Sequence, residues 1–492
     1  MHIRLTWCCA LAAAWTLALA GPAAADDTRL ADALEKDDIK AAAALLAQGV
    51  DVNRTQADGG TALHWAAHWN ELAIAKRLLS SGAKANAVND YGVSPLFLAA
   101  TNGSAPMVAV LLAAGANANA ALPTGVTVLM TAARSGRVDV LTLLLAKGAA
   151  LDPKQRSKGQ TALMWAIAER RVDAVRVLIE HGADVRAGTN GGFTPLMFAA
   201  REGSVEMGRL LLEHGAHVND SADDGSTPLL VATVRAHVEL ATFFLEHGAN
   251  PDGNAQVAGY TPLHWAAGKS ETFTTFNYPA APGEWTAIAG IPAREGKLAL
   301  VKALLTRGTD VNARIAKQPP RFGVSDGSGL APIGATPLLL AAFCGDTEVL
   351  RLLVANGADL RAAASDGSTP LMAAAGMIAQ RDETTRVPES DFLSAVRVLL
   401  EMGAPLEATN RRGFRAMHYA AMAGFTSVLK FLVEQGADLN ARSVVGRQAA
   451  SAPGADGDSG VTPLGVAEGT TGTLYHQRPR AAALLRELGA VK

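Results

Sequence analysis

The chain has 492 residues, of which 49% are hydrophobic and 18% are charged, so it can bury a sizeable core and lies far from compositions typical of disorder. Its 48 glycines contrast with only 5% aromatic residues, a mixture that suits closely packed helices joined by many tight turns. The net charge is −2 and no long Lys/Arg run occurs, which argues against nucleic acid as a partner.

Residues 1–25 have the pattern of a secretory signal peptide. A short positive region precedes an apolar stretch from Leu5 to Ala20, and Ala23–Ala25 offers an A-x-A cleavage site. The apolar stretch is shorter than the roughly 20 residues that a membrane helix needs. We therefore expect cleavage near Asp26, no stable membrane insertion afterwards, and a periplasmic or alternatively secreted protein; an uncleaved anchor is the other interpretation.

The sequence carries no motif typical of a catalytic, metal or cofactor site. There is no P-loop, no GxSxG elbow, no HExxH, and no GxGxxG after a strand. Removal of the signal would leave Cys344 as the single cysteine, which excludes a disulfide framework and gives no support for structural zinc. We therefore expect neither enzymatic activity nor a bound cofactor.

A motif of the form TPLHWAA recurs with a period of 33 or 34 residues through residues 61–261. A second apolar stretch follows each copy and ends in a glycine, as in RVLIEHGADV and KFLVEQGADL. Threonine suits a helix N-cap, proline the first helical position, and glycine a left-handed helix end. The pattern predicts helix–turn–helix–loop units. The motif copies begin at Thr61, Ser94, Thr127, Thr161, Thr194, Thr227, Thr261, Thr336, Thr369, Arg415 and Thr462.

The TPLH motif, the GAD motif and the 33-residue period resemble the ankyrin-repeat family, over about residues 26–492. The resemblance implies an all-α solenoid of about twelve units with β-turn finger loops. It also implies a non-enzymatic protein that binds a protein partner through its concave face and loops. We expect a monomer, and the Ala-rich signal makes the chain similar to exported bacterial members of the family.

The repeats divide the mature chain into four parts. Residues 26–59 are expected to form an N-terminal capping repeat, because Asp32 stands where later repeats have an aromatic core residue such as Trp65. Residues 60–260 contain the regular repeats, residues 261–461 contain repeats with long loop insertions, and residues 462–492 form a C-terminal capping repeat.

Three histidines could suggest catalysis or metal binding, namely His64, His264 and His418. Each occupies the fourth position of the TPLH motif, where the family uses histidine to order the turn by hydrogen bonding. They also lie in different repeats. The resemblance therefore implies a structural role for all three.

Two positions after the Ala-Ala pair of each repeat are left free by the family pattern, and they predict a polar, modestly basic row through the first eight repeats. The cations in this row are candidates to contact carboxylates of a partner, and Trp69 has the character of a binding hot spot. The alternative is a solvated face partly neutralised by Glu169 and Glu202. The candidates are His68, Trp69, Arg134, Arg201, Arg235 and Lys269.

The period breaks after Thr261, where the next motif follows only at Thr336 and a long insertion spans about residues 270–294. Loops of this length are usually functional or disordered. Shorter insertions lie near residues 378–390 and 443–460, and the free positions become apolar at Phe343 and Met377. The loops either fold over this apolar row or form an open docking surface with it. The insertion adds four partner-binding candidates, Phe273, Phe276, Tyr278 and Trp285.

These observations favour a scaffold or accessory subunit that binds a protein partner. A second hypothesis is an inhibitor or immunity-type protein that blocks a partner enzyme. A third is a small-ligand site or an enzyme built by the loops of repeats 8 to 10. The sequence does not identify the partner.

Overall fold

The computed structural model describes residues 27–253, 259–268, 294–316, 333–377, 388–444, 460–469 and 477–491. Regular secondary structure in these residues is α-helical, apart from two isolated antiparallel bridges, Thr55 with Thr61 and Ala121 with Thr127. Twelve helix pairs follow one another in this part of the chain. The predicted all-α repeat fold is confirmed.

Each repeat contains a first and a second helix. The first helices are Arg29–Glu35 (α1), Ala62–His68 (α3), Pro95–Thr101 (α5), Val128–Ser135 (α7), Ala162–Ala168 (α9), Pro195–Glu202 (α11), Pro228–Val234 (α13), Pro262–Ala267 (α15), Pro337–Phe343 (α17), Pro370–Ala374 (α19), Ala416–Ala423 (α21) and Pro463–Ala467 (α23). The second helices are Ile39–Ala47 (α2), Leu72–Ser80 (α4), Ala105–Ala113 (α6), Val138–Ala146 (α8), Val172–Glu180 (α10), Val205–Glu213 (α12), Val238–Glu246 (α14), Arg294–Thr306 (α16), Thr347–Ala355 (α18), Glu389–Glu401 (α20), Thr426–Glu434 (α22) and Pro479–Glu487 (α24).

The first helices begin as the cap chemistry predicts. At α13, the Thr227 hydroxyl accepts a hydrogen bond from the Leu230 N–H at 3.2 Å, and Pro228 occupies the first turn. At α5, Ser94 caps the helix in the same way through the Phe97 N–H, also at 3.2 Å. These side chains satisfy backbone donors that a helix start leaves unpaired, so these two starts are fixed locally. The start of α11 differs, because the Thr194 side chain makes no cap hydrogen bond there.

The core consists of alanine and leucine columns. Where a regular first helix has an Ala-Ala pair, the pair is fully buried, as at Ala66 and Ala67, which allows close approach of neighbouring helices. The second helices supply leucines such as Leu78 and Leu211, which are also fully buried. Small residues on one layer and large residues on the other fill the space between helices without voids.

The chain divides into two compact units. The first contains Met1–Pro123, Thr127–Thr131 and Thr142–Ala149, and the second contains Thr124–Val126, Ala132–Leu141 and Ala150–Lys492. In the first unit, α3 packs against α1 and α5, and α4 against α2 and α6. In the second unit, successive first helices from α9 to α23 pack together, as do successive second helices from α10 to α24. Within each unit a repeat therefore rests on its sequence neighbours.

Repeats 8 and 10, which both carry insertions, retain the helix pair. Their second helices, α16 and α20, have 13 residues, whereas those of the regular repeats have nine. After α16, the Ile315 N–H donates to the Ala335 carbonyl at 3.0 Å, which joins the chain on either side of residues 317–332. The insertions thus leave the register of the repeats intact.

Candidate functional site

The histidines of the TPLH motif are structural in this molecule. His264 Nδ1 accepts from the Thr261 backbone N–H at 3.0 Å, and its Nε2 lies 3.1 Å from the Ala313 carbonyl and 3.2 Å from the Ala335 carbonyl. One ring nitrogen accepts and the other donates, which requires the neutral ring. Burial lowers the pKa of His264 to about 4. The same arrangement, with a pKa lowered by burial, occurs at His64 and His418.

The free positions of repeat 2 present an exposed aromatic side chain. Trp69 is 44% exposed and packs edge-on against His68, with ring centroids 4.6 Å apart. The Asn102 side-chain amide of repeat 3 donates to the His68 carbonyl at 2.6 Å, which ties the helix end to the next repeat. The indole is therefore held on an anchored backbone while its face stays accessible.

A second set of exposed side chains lies on the finger of repeat 3. We use finger for the loop that precedes the first helix of each repeat. Tyr91 is 57% exposed and Val88 is 58% exposed, both unusual for large apolar side chains. The Asp90 N–H donates to the Asp58 carbonyl of the preceding finger at 2.9 Å, so the loop that carries Tyr91 is fixed.

Among the predicted arginines, Arg134 is the accessible one. Its side chain is 59% exposed, with Nε 3.8 Å from Glu169 Oε1 and the guanidinium carbon 5.9 Å from the centre of the Trp165 ring. Exposed ion pairs of this length are weak. Arg134 can therefore exchange Glu169 for a carboxylate of a partner.

Arg201 and Arg235 are committed to partners within the chain. Arg201 Nε lies 3.0 Å from Glu202 Oε1, its guanidinium covers the Phe198 ring at 4.6 Å, and its side chain is only 19% exposed. Arg235 Nε donates to the Arg201 carbonyl at 3.5 Å, and burial lowers the pKa of its guanidinium. Arg235 joins neighbouring repeats, and Arg201 contacts side chains of its own helix, so contact with a partner would require both to give up these interactions.

The remaining predicted residues, Lys269, Phe273, Phe276, Tyr278 and Trp285, lie outside the described residues, and their role stays a prediction. In the apolar row, Phe343 is buried and Met377 is half-buried. The two interpretations of the insertions, cover or docking surface, both stay predictions.

The structure reveals cations that the repeat pattern alone did not indicate. In the finger of repeat 5, residues 153–160, the side chains of Lys154, Arg156 and Lys158 are exposed, while Gln155 between them is buried. The signal in the sequence was the alternation K-x-R-x-K immediately before the Thr161 motif. The repeat motif does not indicate this signal, because the signal lies in a finger and finger sequences vary between repeats.

No group of three or more His, Cys, Asp or Glu side chains in the described ranges is arranged to hold a metal ion. In the same ranges, no helix combines the length and the apolar character needed to cross a bilayer. What the described residues do present is a set of exposed aromatic and cationic side chains at helix ends and fingers, on a backbone fixed by neighbouring repeats.

The family models that match this chain all describe ankyrin repeats. A model for ankyrin repeats (3 copies) matches residues 30–121, 81–155, 129–222, 216–278 and 289–386, a model for ankyrin repeats (many copies) matches residues 391–443, and a model for the single ankyrin repeat matches residues 258–315.

Two curated proteins match parts of the chain. The ankyrin repeat and KH domain-containing protein mask-1 of Caenorhabditis elegans is 28% identical over 152 residues, 30% of this chain and 5% of that protein. Alpha-latroinsectotoxin-Lt1a of Latrodectus tredecimguttatus is 34% identical over 110 residues, 22% of this chain and 7% of the toxin. The chain thus spans a small fraction of either relative.

Two solved structures are similar as well. The match to the human ASB11 ankyrin repeat domain is 33% identical and covers 45% of this chain and 98% of that domain, with a TM-score of 0.41. The ankyrin repeat domain of Bcl-3 is 26% identical and covers 44% and 97%, with a TM-score of 0.39. Since the family models extend over well over half of the sequence, in register with the helix pairs, the chain belongs to the ankyrin-repeat family.

Proposed function

We propose that the protein is a non-enzymatic scaffold or accessory subunit that binds a protein partner through the ends of its first helices and its fingers. One observation carries this proposal: Trp69 and Tyr91 are 44% and 57% exposed on anchored backbone, while the side chains of the repeat motif are buried. Tryptophan and tyrosine are the residues enriched in binding hot spots. Rigid presentation lowers the entropy that binding costs.

The place of action that we propose is the periplasm, with secretion as the alternative. The support is the apolar stretch from Leu5 to Ala20 and the small residues Ala23–Ala25 that follow. Expression of the full sequence in a Gram-negative host, with mass spectrometry of the product in each fraction, tests this. The expected product is a periplasmic chain that begins near Asp26. An uncleaved chain in the cytoplasm would contradict the proposal.

A capture experiment tests the scaffold itself. The tagged protein is exposed to the exported proteins of its source organism, and the partner that it retains is identified and titrated. We expect Trp69→Ala to weaken binding of that partner by roughly 30-fold, the factor that corresponds to a hot-spot loss of about 2 kcal/mol. Leu488→Ala, at a residue exposed after α24, is the control and should leave affinity unchanged.

Two results would contradict the scaffold. One is failure of the intact protein to retain any protein. The other is equal affinity for Trp69→Ala, Tyr91→Ala and Arg134→Ala variants whose circular dichroism matches that of the wild type.

A further inference from the structure

We propose that the finger of repeat 5 is a cationic docking element for a short acidic segment of the protein partner. This inference rests on the scaffold proposed above and names the chemistry that one of its surfaces recognises. The finger comprises residues 153–160, between α8 and α9, and it lies in the second compact unit.

The charge of this finger is unbalanced. Lys154, Arg156 and Lys158 are all exposed, and none of them forms an ion pair with any acidic side chain in the described residues. Asp152 lies nearby, but its Oδ1 accepts from the Asp184 N–H at 3.0 Å. A neighbouring finger shows the usual alternative, since Arg186 lies 3.6 Å from Asp220. The three cations outnumber the carboxylates of Asp152 and Asp184 beside the loop, and this excess creates a local positive potential that attracts carboxylates.

The loop is also fixed before any partner arrives. The Arg156 N–H donates to the Thr124 carbonyl at 2.9 Å on one side, and the Asn190 N–H donates to the Lys158 carbonyl at 2.9 Å on the other. Within the loop, the Ser157 N–H and hydroxyl both donate to the buried Gln155 side chain, at 2.8 and 2.9 Å. A surface that is already ordered loses little conformational entropy on binding.

Close packing against the next finger explains the shape of the turn. Gly159 has φ +72°, and a Cβ at this position would lie 2.3 Å from Asn190 Oδ1. Glycine therefore lets the fingers of repeats 5 and 6 approach, which turns residues 156–158 outward. The Lys154 ammonium donates to the Gly188 carbonyl of the same neighbouring finger at 2.5 Å, which fixes the position of the ammonium group.

The surroundings limit the length of the acidic segment. The finger of repeat 7 carries Asp223 and Asp224, both exposed, together with the half-buried Asp220. Two repeats at helix-packing distance separate the fingers by roughly 20 Å. A long polyanion such as duplex DNA, with a charge every 1.7 Å or so, would be repelled there. A short acidic stretch of a protein fits the positive finger without reaching the negative one.

The test uses fluorescence anisotropy with a labelled six-residue peptide of alternating Glu and Ser as the probe, on the full chain; when extended, this peptide is about 20 Å long. The triple variant Lys154→Gln, Arg156→Gln and Lys158→Gln removes the finger charge. The matched control, Lys40→Gln, Lys76→Gln and Lys84→Gln, removes the same charge from exposed positions on the first unit. We expect the finger variant to weaken probe binding at least tenfold and the control less than twofold, with binding of the wild type weakening as salt rises.

A charge-reversed finger, with Glu at the same three positions, should lose the acidic probe and gain a Lys/Ser probe of equal length. The inference is overturned if the acidic probe shows no saturable binding below millimolar concentration, or if both triple variants lose binding alike. It is also overturned if an oligodeoxynucleotide of equal charge binds more tightly than the peptide. Retention of the captured natural partner by the finger variant would sink this inference while leaving the scaffold standing.

Discussion

The residue that ends the first helix of each regular repeat has a left-handed conformation, and the chain fills this position in two ways. Gly203 has φ +72°, and a Cβ there would lie 2.4 Å from Nδ1 of His237, whose ring approaches the Arg201 carbonyl at 3.0 Å. One repeat later Ala236 has φ +61°. A left-handed alanine costs roughly 1–2 kcal/mol, whereas glycine adopts this conformation freely.

This difference predicts opposite effects of two reciprocal substitutions. Ala236→Gly should stabilise the protein by about 0.5–1 kcal/mol, because relief of the backbone strain exceeds the entropy cost of glycine. Gly203→Ala should destabilise it by about 2 kcal/mol, because the strain is added to the clash with His237. Urea denaturation followed by circular dichroism measures both. The same sign of change for the two variants would contradict this account.

The buried histidines predict a pH dependence of stability. Burial lowers the pKa of His264 and of His418 to about 4 from an unfolded value of 6.5. The unfolded chain therefore binds more protons between these values, and the contribution of the neutral rings, present above pH 6.5, is lost as the pH falls toward 4. The loss is on the order of 3 kcal/mol for each ring.

The measurement compares urea midpoints at pH 7 and pH 5 for the wild type and for the His264→Asn/His418→Asn variant. The variant should be less stable at pH 7 but should lose less stability on acidification, since two titrating groups are gone. His68→Asn, at an exposed ring, is the control. Identical pH slopes for the wild type and the double variant would rule out the histidines as the source.

At the scale of the elements, helix starts were predictable from sequence because their chemistry is local. Thr227 and Pro228 predict the start of α13 to within one helical turn, and the repeat period then predicts the starts in the other repeats. The partner of Arg235 was not predictable, because it depends on how closely the two repeats pack. The finger of repeat 5 was not predictable for a different reason. The repeat pattern does not show whether an acidic side chain forms an ion pair with any of its three cations.

A further element-scale interaction that the repeat pattern did not reveal joins successive loops. The Asn219 amide donates to the Gly248 carbonyl at 3.0 Å, and its carbonyl oxygen accepts from the Asn250 N–H at 2.7 Å. Asn312 makes the same two bonds to Gly357 and Asp359, at 3.0 and 2.8 Å. A side-chain amide can donate one of these bonds and accept the other. This explains why many repeats have an asparagine within five residues after the GA pair.

The packing of α16 against α18 contains a buried ion pair. Lys297 Nζ lies 3.0 Å from Asp346 Oδ2, with side chains 6% and 12% exposed. The other oxygen of Asp346 accepts from the Val349 N–H at 3.2 Å and so caps α18. Both charges are satisfied only while the two repeats stay packed together.

Removal of one partner should therefore be costly. Lys297→Met is expected to destabilise the protein by about 3–5 kcal/mol, because Asp346 is left as an uncompensated buried charge. The double variant Lys297→Met/Asp346→Asn should recover most of this loss, since asparagine keeps an acceptor for the helix cap. A double variant as unstable as the single variant would show that the cost lies in packing of the lysine stem and not in the charge.

At the scale of the whole molecule, backbone hydrogen bonds link neighbouring fingers within each compact unit. Asp90 donates to the finger before it, and Arg156 and Asn190 continue the pattern in the second unit. In the finger of repeat 4 the donor position is occupied by Pro123, which has no N–H. The longest segment of the first compact unit ends at this residue.

Two compact units predict unfolding in two steps. The first unit should unfold at a lower urea concentration, because it holds fewer repeats and because α2, the second helix of its terminal repeat, buries a single side chain, Ala42.

Leu78→Ala in α4 and Leu211→Ala in α12 each remove a fully buried side chain and should lower the free energy of unfolding by about 2–5 kcal/mol. Hydrogen exchange of peptides from α3–α6 and from α9–α14 across urea follows the units separately. Leu78→Ala should shift only the first set of curves and Leu211→Ala only the second; coincident shifts in both sets would mean that the chain unfolds as one cooperative body.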